Sequence, residues 1–212
     1  MSHLYLTSPK HCAKQGLNLN KSYKKLFYAS STFIFSILSL VLLVWLILHP
    51  SKPQFYLKEA DLYQLNLSSP NYLLNSSIRA TLSSKNPNSK VGVYYDSVRA
   101  YVSYKGQRIT NDLSLPPFYQ GNGDTNILSA LLYGYDLPVT PTFGFEVSRD
   151  QSDGELQLAL KLDGRLRWKV GTWVSGYYRF DVYCVAVVGL KAPMDTSGPF
   201  RSLQGAQCST TV

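Results

Sequence analysis

The sequence predicts an all-β fold, an antiparallel β-sandwich carried behind one membrane-crossing helix. Three observations predict it. Residues 26–48 contain no charged side chain. Beyond them, apolar residues recur at every second position, the period of a strand with one buried face. Pairs rich in glycine, proline and asparagine punctuate these runs, and helical spacing is scarce.

Taken in order, residues 1–25 form a basic tail with Lys10, Lys14, Lys21, Lys24 and Lys25 and no acidic residue. Residues 26–48 would reach about 34 Å as a helix, enough for a hydrocarbon layer about 30 Å thick. The stretch is too long and too evenly apolar for a buried globular helix. His49-Pro50-Ser51-Lys52-Pro53 offers no small-residue cleavage site, so the segment reads as an uncleaved signal anchor. Lysines precede it, whereas Lys52, Lys58, Glu59 and Asp61 mix beyond it. That asymmetry places the N-terminus in the cytosol and the C-terminal part outside. Cys12, alone on the cytosolic side, reads as an unmodified thiol.

A linker at 49–54 leads to residues 55–212, enough chain for one domain. Of 21 lysines and arginines, five precede the anchor, which leaves sixteen against thirteen acidic residues and a charge of only +3. No basic run interrupts this part, which excludes a nucleic-acid partner. The tail's charge suits an anionic inner leaflet instead.

Within the domain, Ile78, Ala80 and Leu82 alternate with Arg79 and Thr81. Val91, Val93 and Tyr95 share one parity, and Val98, Ala100, Val102 and Tyr104 the other. Either two strands or one strand bent near Asp96-Ser97 fits, because a one-residue slip turns every side chain over. Leu156, Leu158, Leu160 and Leu162 precede Asp163-Gly164, and Leu166, Trp168 and Val170 follow it. A three-residue loop or a strand continuing through a kink keeps their apolar face together. Tyr178, Phe180, Val182, Cys184, Ala186 and Val188 form a long strand with Cys184 inward. Asn86-Pro87-Asn88, Lys105-Gly106, Asn122-Gly123 and Asp153-Gly154 read as turns. The total is about seven short strands.

Cys184 and Cys208 both fall on the exported side, where a bridge persists. A bridge closing about 24 residues would contribute roughly 3 kcal/mol, and two free buried thiols are the alternative. Three sequons occur, at Asn20, Asn66 and Asn75, and only Asn66 and Asn75 would meet the glycosylation machinery.

The only histidines are His3, His11 and His49, so a Ser-His-Asp device or a histidine-ligated zinc cannot be built in the domain. No phosphate-cradling glycine loop and no Cys-x-x-Cys is present. No cofactor and no metal site are therefore read. Asp150, Asp153 and Glu155 fail the spacing of a calcium loop and read as a solvated turn. As a glycosidase pair they would have to converge at about 5–10 Å. Asp96 reads as a cap on its bend. Pro116-Pro117-Phe118-Tyr119 is the candidate partner contact: two prolines stiffen it and two aromatics offer large area at small entropy cost. The alternative is a rigid loop whose rings plug the sandwich end. Asn122-Gly123-Asp124 is first a turn and second an adhesion-like tripeptide.

Asn86-Pro87-Asn88, Gly92-Val93-Tyr94-Tyr95-Asp96, Pro116 to Gly121 and Arg167-Trp168-Lys169-Val170-Gly171 resemble the signature blocks of the plant NHL family. These are harpin-induced and non-race-specific-disease-resistance-like proteins built on a late embryogenesis abundant group-two domain. The resemblance covers the anchor and nearly all of Phe55 to Cys208. It implies a fibronectin III/Ig-like sandwich, a cysteine pair at Cys184 and Cys208, no catalysis, and a plasma-membrane location, plasmodesmata included. Many members follow the Pro-Pro-Phe-Tyr-Gln-Gly block with His, a basic residue and Asn-Thr-Thr, where this chain has Asn122-Gly123-Asp124-Thr125-Asn126. The expected function is a non-enzymatic binding or signalling component in pathogen defence or abiotic stress. It would contact a protein or a cell-wall polymer through Phe118 and Tyr119. The alternative is a passive membrane-to-wall tether or a lipid-contacting sandwich.

Overall fold

A computed structural model describes residues 19–48, 50–68, 71–190, 199–202 and 205–212. His3, His11, His49, Lys10, Cys12 and Lys14 lie outside the described residues. The chain divides into two compact units, residues 1–49 and 50–212.

The first unit contains helix α1, Leu19–Leu48. It starts earlier than the uncharged run, because Lys21, Lys24 and Lys25 are themselves good helix formers. Tyr23–Leu43 is long and apolar enough to cross a membrane. Its large side chains, Phe33, Phe35 and Leu38 among them, are exposed.

The second unit runs β1 (Gln54–Ser68), β2 (Leu73–Lys85), β3 (Gly92–Tyr104), β4 (Gln107–Arg108), β5 (Leu113–Leu115), β6 (Phe118–Gln120) and β7 (Thr125–Pro138). Helix α2 (Phe143–Asp153) follows, then β8 (Glu155–Val170), β9 (Trp173–Val174), β10 (Tyr178–Gly189), β11 (Phe200–Arg201), β12 (Ala206–Gln207) and β13 (Ser209–Thr211). One antiparallel sheet has the order β11-β1-β2-β7, with β12 also on β1. The other has the order β13-β10-β8-β3-β4, with β5 and β6 on β3 and β9 on β8. The inner faces of both sheets share one core. Phe55 of the first sheet lies edge-on to Tyr95 and stacks with Phe180 of the second, each at 6.3 Å. The fold is the antiparallel β-sandwich read from the sequence.

Six long strands carry it where about seven short ones are expected: β1, β2, β3, β7, β8 and β10 each run 12 to 16 residues, and the other strands described have two or three. β3 is one strand with a bulge between Tyr95 and Ser97. β8 continues straight through Asp163-Gly164 and keeps even-numbered residues inward throughout. Gly164 faces the bulge, where a Cβ would run into the Ser97 carbonyl oxygen and approach Phe180 Cε1 to 2.9 Å. This glycine serves a close backbone approach, not a turn.

Residues 143–153 correct the turn read around Asp150, Asp153 and Glu155. They form helix α2, which buries Phe143 and Val147, spaced four apart. Gly154 ends it in the left-handed conformation, φ 84°, and its N–H donates to the Asp150 and Gln151 carbonyls. Glu155 belongs to β8.

Cys208 lies between β12, which pairs with β1, and β13, which pairs with β10. The C-terminal segment thus straps the two sheets together. Cys208 is joined to Cys184 by a disulfide, and its N–H donates to the Phe55 carbonyl at 2.9 Å.

Candidate functional site

Alternation along β3, β6 and β8 sorts the motif residues onto two faces. Tyr95 and Trp168 point inward, 1 % and 6 % exposed. Tyr94, Arg167 and Lys169 point outward and are half-buried. β6 pairs with β3 so that Phe118 lies opposite Tyr95 and Tyr119 opposite Tyr94. Phe118 therefore stacks on Tyr95 at 4.4 Å and closes the core. Tyr119, 44 % exposed, faces out. The four-residue contact segment is thus divided. Pro116 and Pro117, both exposed, bridge β5 to β6 along the bulge in β3, where missing N–H donors cost no ladder bond.

The outward residues assemble a face. Tyr119 packs against Tyr94 at 4.6 Å between ring centroids. Its ring lies across Gly92, where any Cβ would strike it. The Lys169 ammonium sits 5.0 Å from the Tyr119 ring and 5.6 Å from that of Tyr94. The Tyr94 hydroxyl, and then Tyr119, push its pKa above the ordinary lysine value. Arg167 lies over Tyr94 at 5.6 Å and Tyr177 at 5.1 Å. Its Nε donates to Asp96 Oδ2 at 2.8 Å, and Nη2 donates to Oδ1. Asp96 therefore orients Arg167 and does not cap the bend. The same bond raises the Arg167 pKa further.

Sequence reasoning missed Gly92, Arg165, Tyr177 and Arg179 as parts of this face. The period-two rule could have found Arg165, which shares the parity of Arg167 and Lys169.

Asn86 and Asn88 do other work. Asn86 is fully buried. Its Nδ2 donates to the Val91 and Gly121 carbonyls, both at 2.8 Å. Its Oδ1 accepts from Asn88 N and Nδ2 at 3.1 and 2.9 Å. Asn88 then holds Ser51, through Nδ2 to the carbonyl at 2.8 Å and Oδ1 from the N–H at 2.7 Å. Pro87 between them is exposed. Asn122-Gly123-Asp124 is tied into this knot. Gly123 N–H donates to the Asn88 carbonyl and Asn86 N–H to the Asp124 carbonyl, while the Asp124 carboxylate accepts from Gly121 N–H at 3.0 Å. The tripeptide is a fastened turn.

The remaining candidates separate. Asp150 accepts from the Tyr104 hydroxyl at 2.7 Å and from Lys105 at 2.9 Å. Asn66 and Asn75 are cross-strand neighbours. Asn66 is exposed. Asn75 has its amide engaged, accepting from Asp136 N–H at 3.1 Å and donating to its carboxylate at 3.3 Å. Among the described residues no three histidine, cysteine or acidic side chains converge to hold a metal.

Residues 81–184 match the family model described as "Late embryogenesis abundant protein". NDR1/HIN1-like protein 26 of Arabidopsis thaliana is 54 % identical over 214 residues, covering 100 % of both chains. NDR1/HIN1-like protein 1 of the same plant is 41 % identical over 84 % of this chain and 86 % of its own. Among solved structures, the chain is similar to a late embryogenesis abundant protein at 16 % identity and TM-score 0.30, over 81 % of this chain and 91 % of that one. The family-model match and the full-length relative together place the chain: it belongs to the NDR1/HIN1-like family and carries a late embryogenesis abundant domain.

Proposed function

We propose that this protein is a non-enzymatic, single-pass component of the plasma membrane, acting in the response to pathogens or abiotic stress. α1 crosses the bilayer with its basic tail in the cytosol. The sandwich lies outside, carries glycans on its sequons, and makes contact through the outer face at Tyr94, Tyr119, Arg167 and Lys169. One observation carries this reading: Gly92, Asp96 and Tyr177 hold an exposed tyrosine, a half-buried one and two cations in fixed positions on one sheet, as a preorganised recognition surface requires.

Proximity labelling in stressed and unstressed leaf tissue tests it. The full chain carries the labelling enzyme at either terminus, and Tyr119→Ala/Lys169→Gln is compared with the parent. Distinct partner sets on the two sides, with the C-terminal set depleted by the substitutions, are expected. Identical sets for parent and variant would overturn the assignment of the face.

A further inference from the structure

The outer face of β8 carries Arg165, Arg167 and Lys169 at successive outward positions, about 7 Å apart as the strand period dictates. Across from Arg165 on β10 stands Arg179, its direct cross-strand partner. Two like charges so placed destabilise a sheet. Both are exposed, and among the described residues neither has a carboxylate within ion-pair distance. Lys169 likewise has none. Four cations against the single carboxylate of Asp96 leave three positive charges in excess. The next outward row, Asp163 and Asp181, ends the excess, with Arg99 already paired to Asp163. An open depression of about 820 Å³ beside the bulge is where the two rows meet, its charged lining being Asp96, Arg99, Asp163, Arg165, Arg179 and Asp181.

This pattern is a track and not a pocket. Its cations repeat at a constant interval along one strand, and the rings of Tyr94 and Tyr119 flank it. A small anion would satisfy one cation only. A linear polymer with a carboxylate on each ring-shaped unit would meet the cations in turn and lay an apolar ring face on the exposed Tyr119. We infer that the outer face formed by β3, β6, β8 and β10 binds a polyuronate, an acidic polysaccharide, with Arg165, Arg179, Arg167 and Lys169 meeting its carboxylates and Tyr119, backed by Tyr94, stacking on its sugars. The inference deepens the contact-surface reading above and rests on it. It replaces an unspecified partner with one ligand class.

The test uses the full chain in phosphatidylcholine nanodiscs, with biolayer interferometry against polygalacturonate, its fully methyl-esterified form, and anionic phosphatidylserine vesicles. Polygalacturonate binding that weakens with added salt is expected, together with loss of binding on esterification. Arg165→Gln/Arg179→Gln and Tyr119→Ala should each lower the affinity roughly tenfold or more. Lys161→Gln, on the same strand beyond the acidic row, should leave it unchanged; every variant should stay folded at the assay temperature, with Arg165→Gln/Arg179→Gln melting at or above the parent because its like-charge pair is gone. No binding at physiological salt, equal binding of the esterified polymer, or variants that bind like the parent would overturn the inference. Vesicle binding with the same variant dependence, without polymer binding, would overturn it in favour of a lipid surface. If the polymer fails while Tyr119→Ala/Lys169→Gln still depletes the labelled partners, the ligand class falls and the contact face stands. If both fail, the face itself falls.

Discussion

Asn86→Ala should unfold the sandwich far more readily than its one-residue size suggests. The Asn86 side chain makes four hydrogen bonds, two donated to the Val91 and Gly121 carbonyls and two accepted from Asn88. At about 1 kcal/mol net for each, the loss is roughly 4 kcal/mol. A domain of this size moves about 2–4 °C per kcal/mol, so the melting point should fall by roughly 8–16 °C. Near-ultraviolet circular dichroism of the full chain in detergent follows the loss of the fixed aromatic packing in the sandwich. Asn86→Asp sharpens the test. It is nearly isosteric, but it sets carboxylate oxygens against the Val91 and Gly121 carbonyls, so it should destabilise at least as much as alanine. Because Asn86 is fully buried, neither variant should weaken ligand contact at a temperature where the fold persists. A shift below about 2 °C for Asn86→Ala would refute the hub and leave the Asn-Pro-Asn motif without its structural explanation.

Four further outcomes follow from the same geometry. Cys184→Ser/Cys208→Ser should lose about 3 kcal/mol by the chain-entropy estimate for a 24-residue separation; reductant should shift the parent by the same amount in a thermal melt and leave the double variant unmoved. Gly164→Ala should cost about 1–3 kcal/mol in a urea titration, because its Cβ meets the Ser97 carbonyl at the bulge. Burial raises the Asp150 carboxyl, but bonds from Tyr104 and Lys105 outweigh it and hold the pKa below the ordinary value. A depressed carboxylate stabilises above its unfolded pKa and loses that contribution as pH falls through the folded one, so Asp150→Asn should flatten the acid limb of a stability-versus-pH curve. Burial pushes the Tyr95 hydroxyl up to about 12, against a smaller lowering from Ser84. Its contribution is complete below pH 10 and lost as pH rises toward 12, and Tyr95→Phe should remove that part of the alkaline limb.

The sandwich was legible where burial followed an unbroken alternation, as in β2, β8 and β10. It was hidden where bulges or two-sided apolar strands broke the pattern. β1 shifts register between Leu57 and Glu59 and again between Leu62 and Gln64, so Phe55, Leu57, Ala60 and Leu62 do not share one parity. β7 carries Ile127, Leu131 and Tyr133 on one face and Leu128, Ala130 and Leu132 on the other, so it shows no contrast. Asp153-Gly154 reads as a turn between strands because a helix C-cap uses the same glycine conformation. At the candidate face, Tyr119 was visible as an exposed aromatic. The pairing of β6 with β3, which sends Phe118 inward, depends on long-range register that no local pattern encodes. Arg179 joined Arg165 only through the β8–β10 ladder.

The most direct test of the account is antibody access on intact protoplasts expressing the full chain with one epitope at each terminus. The account predicts that the C-terminal epitope is stained, and is removed by external protease, before any permeabilisation, while the N-terminal epitope is reached only afterwards. The opposite pattern would put the sandwich and its tyrosine-and-arginine face in the cytosol and contradict the account.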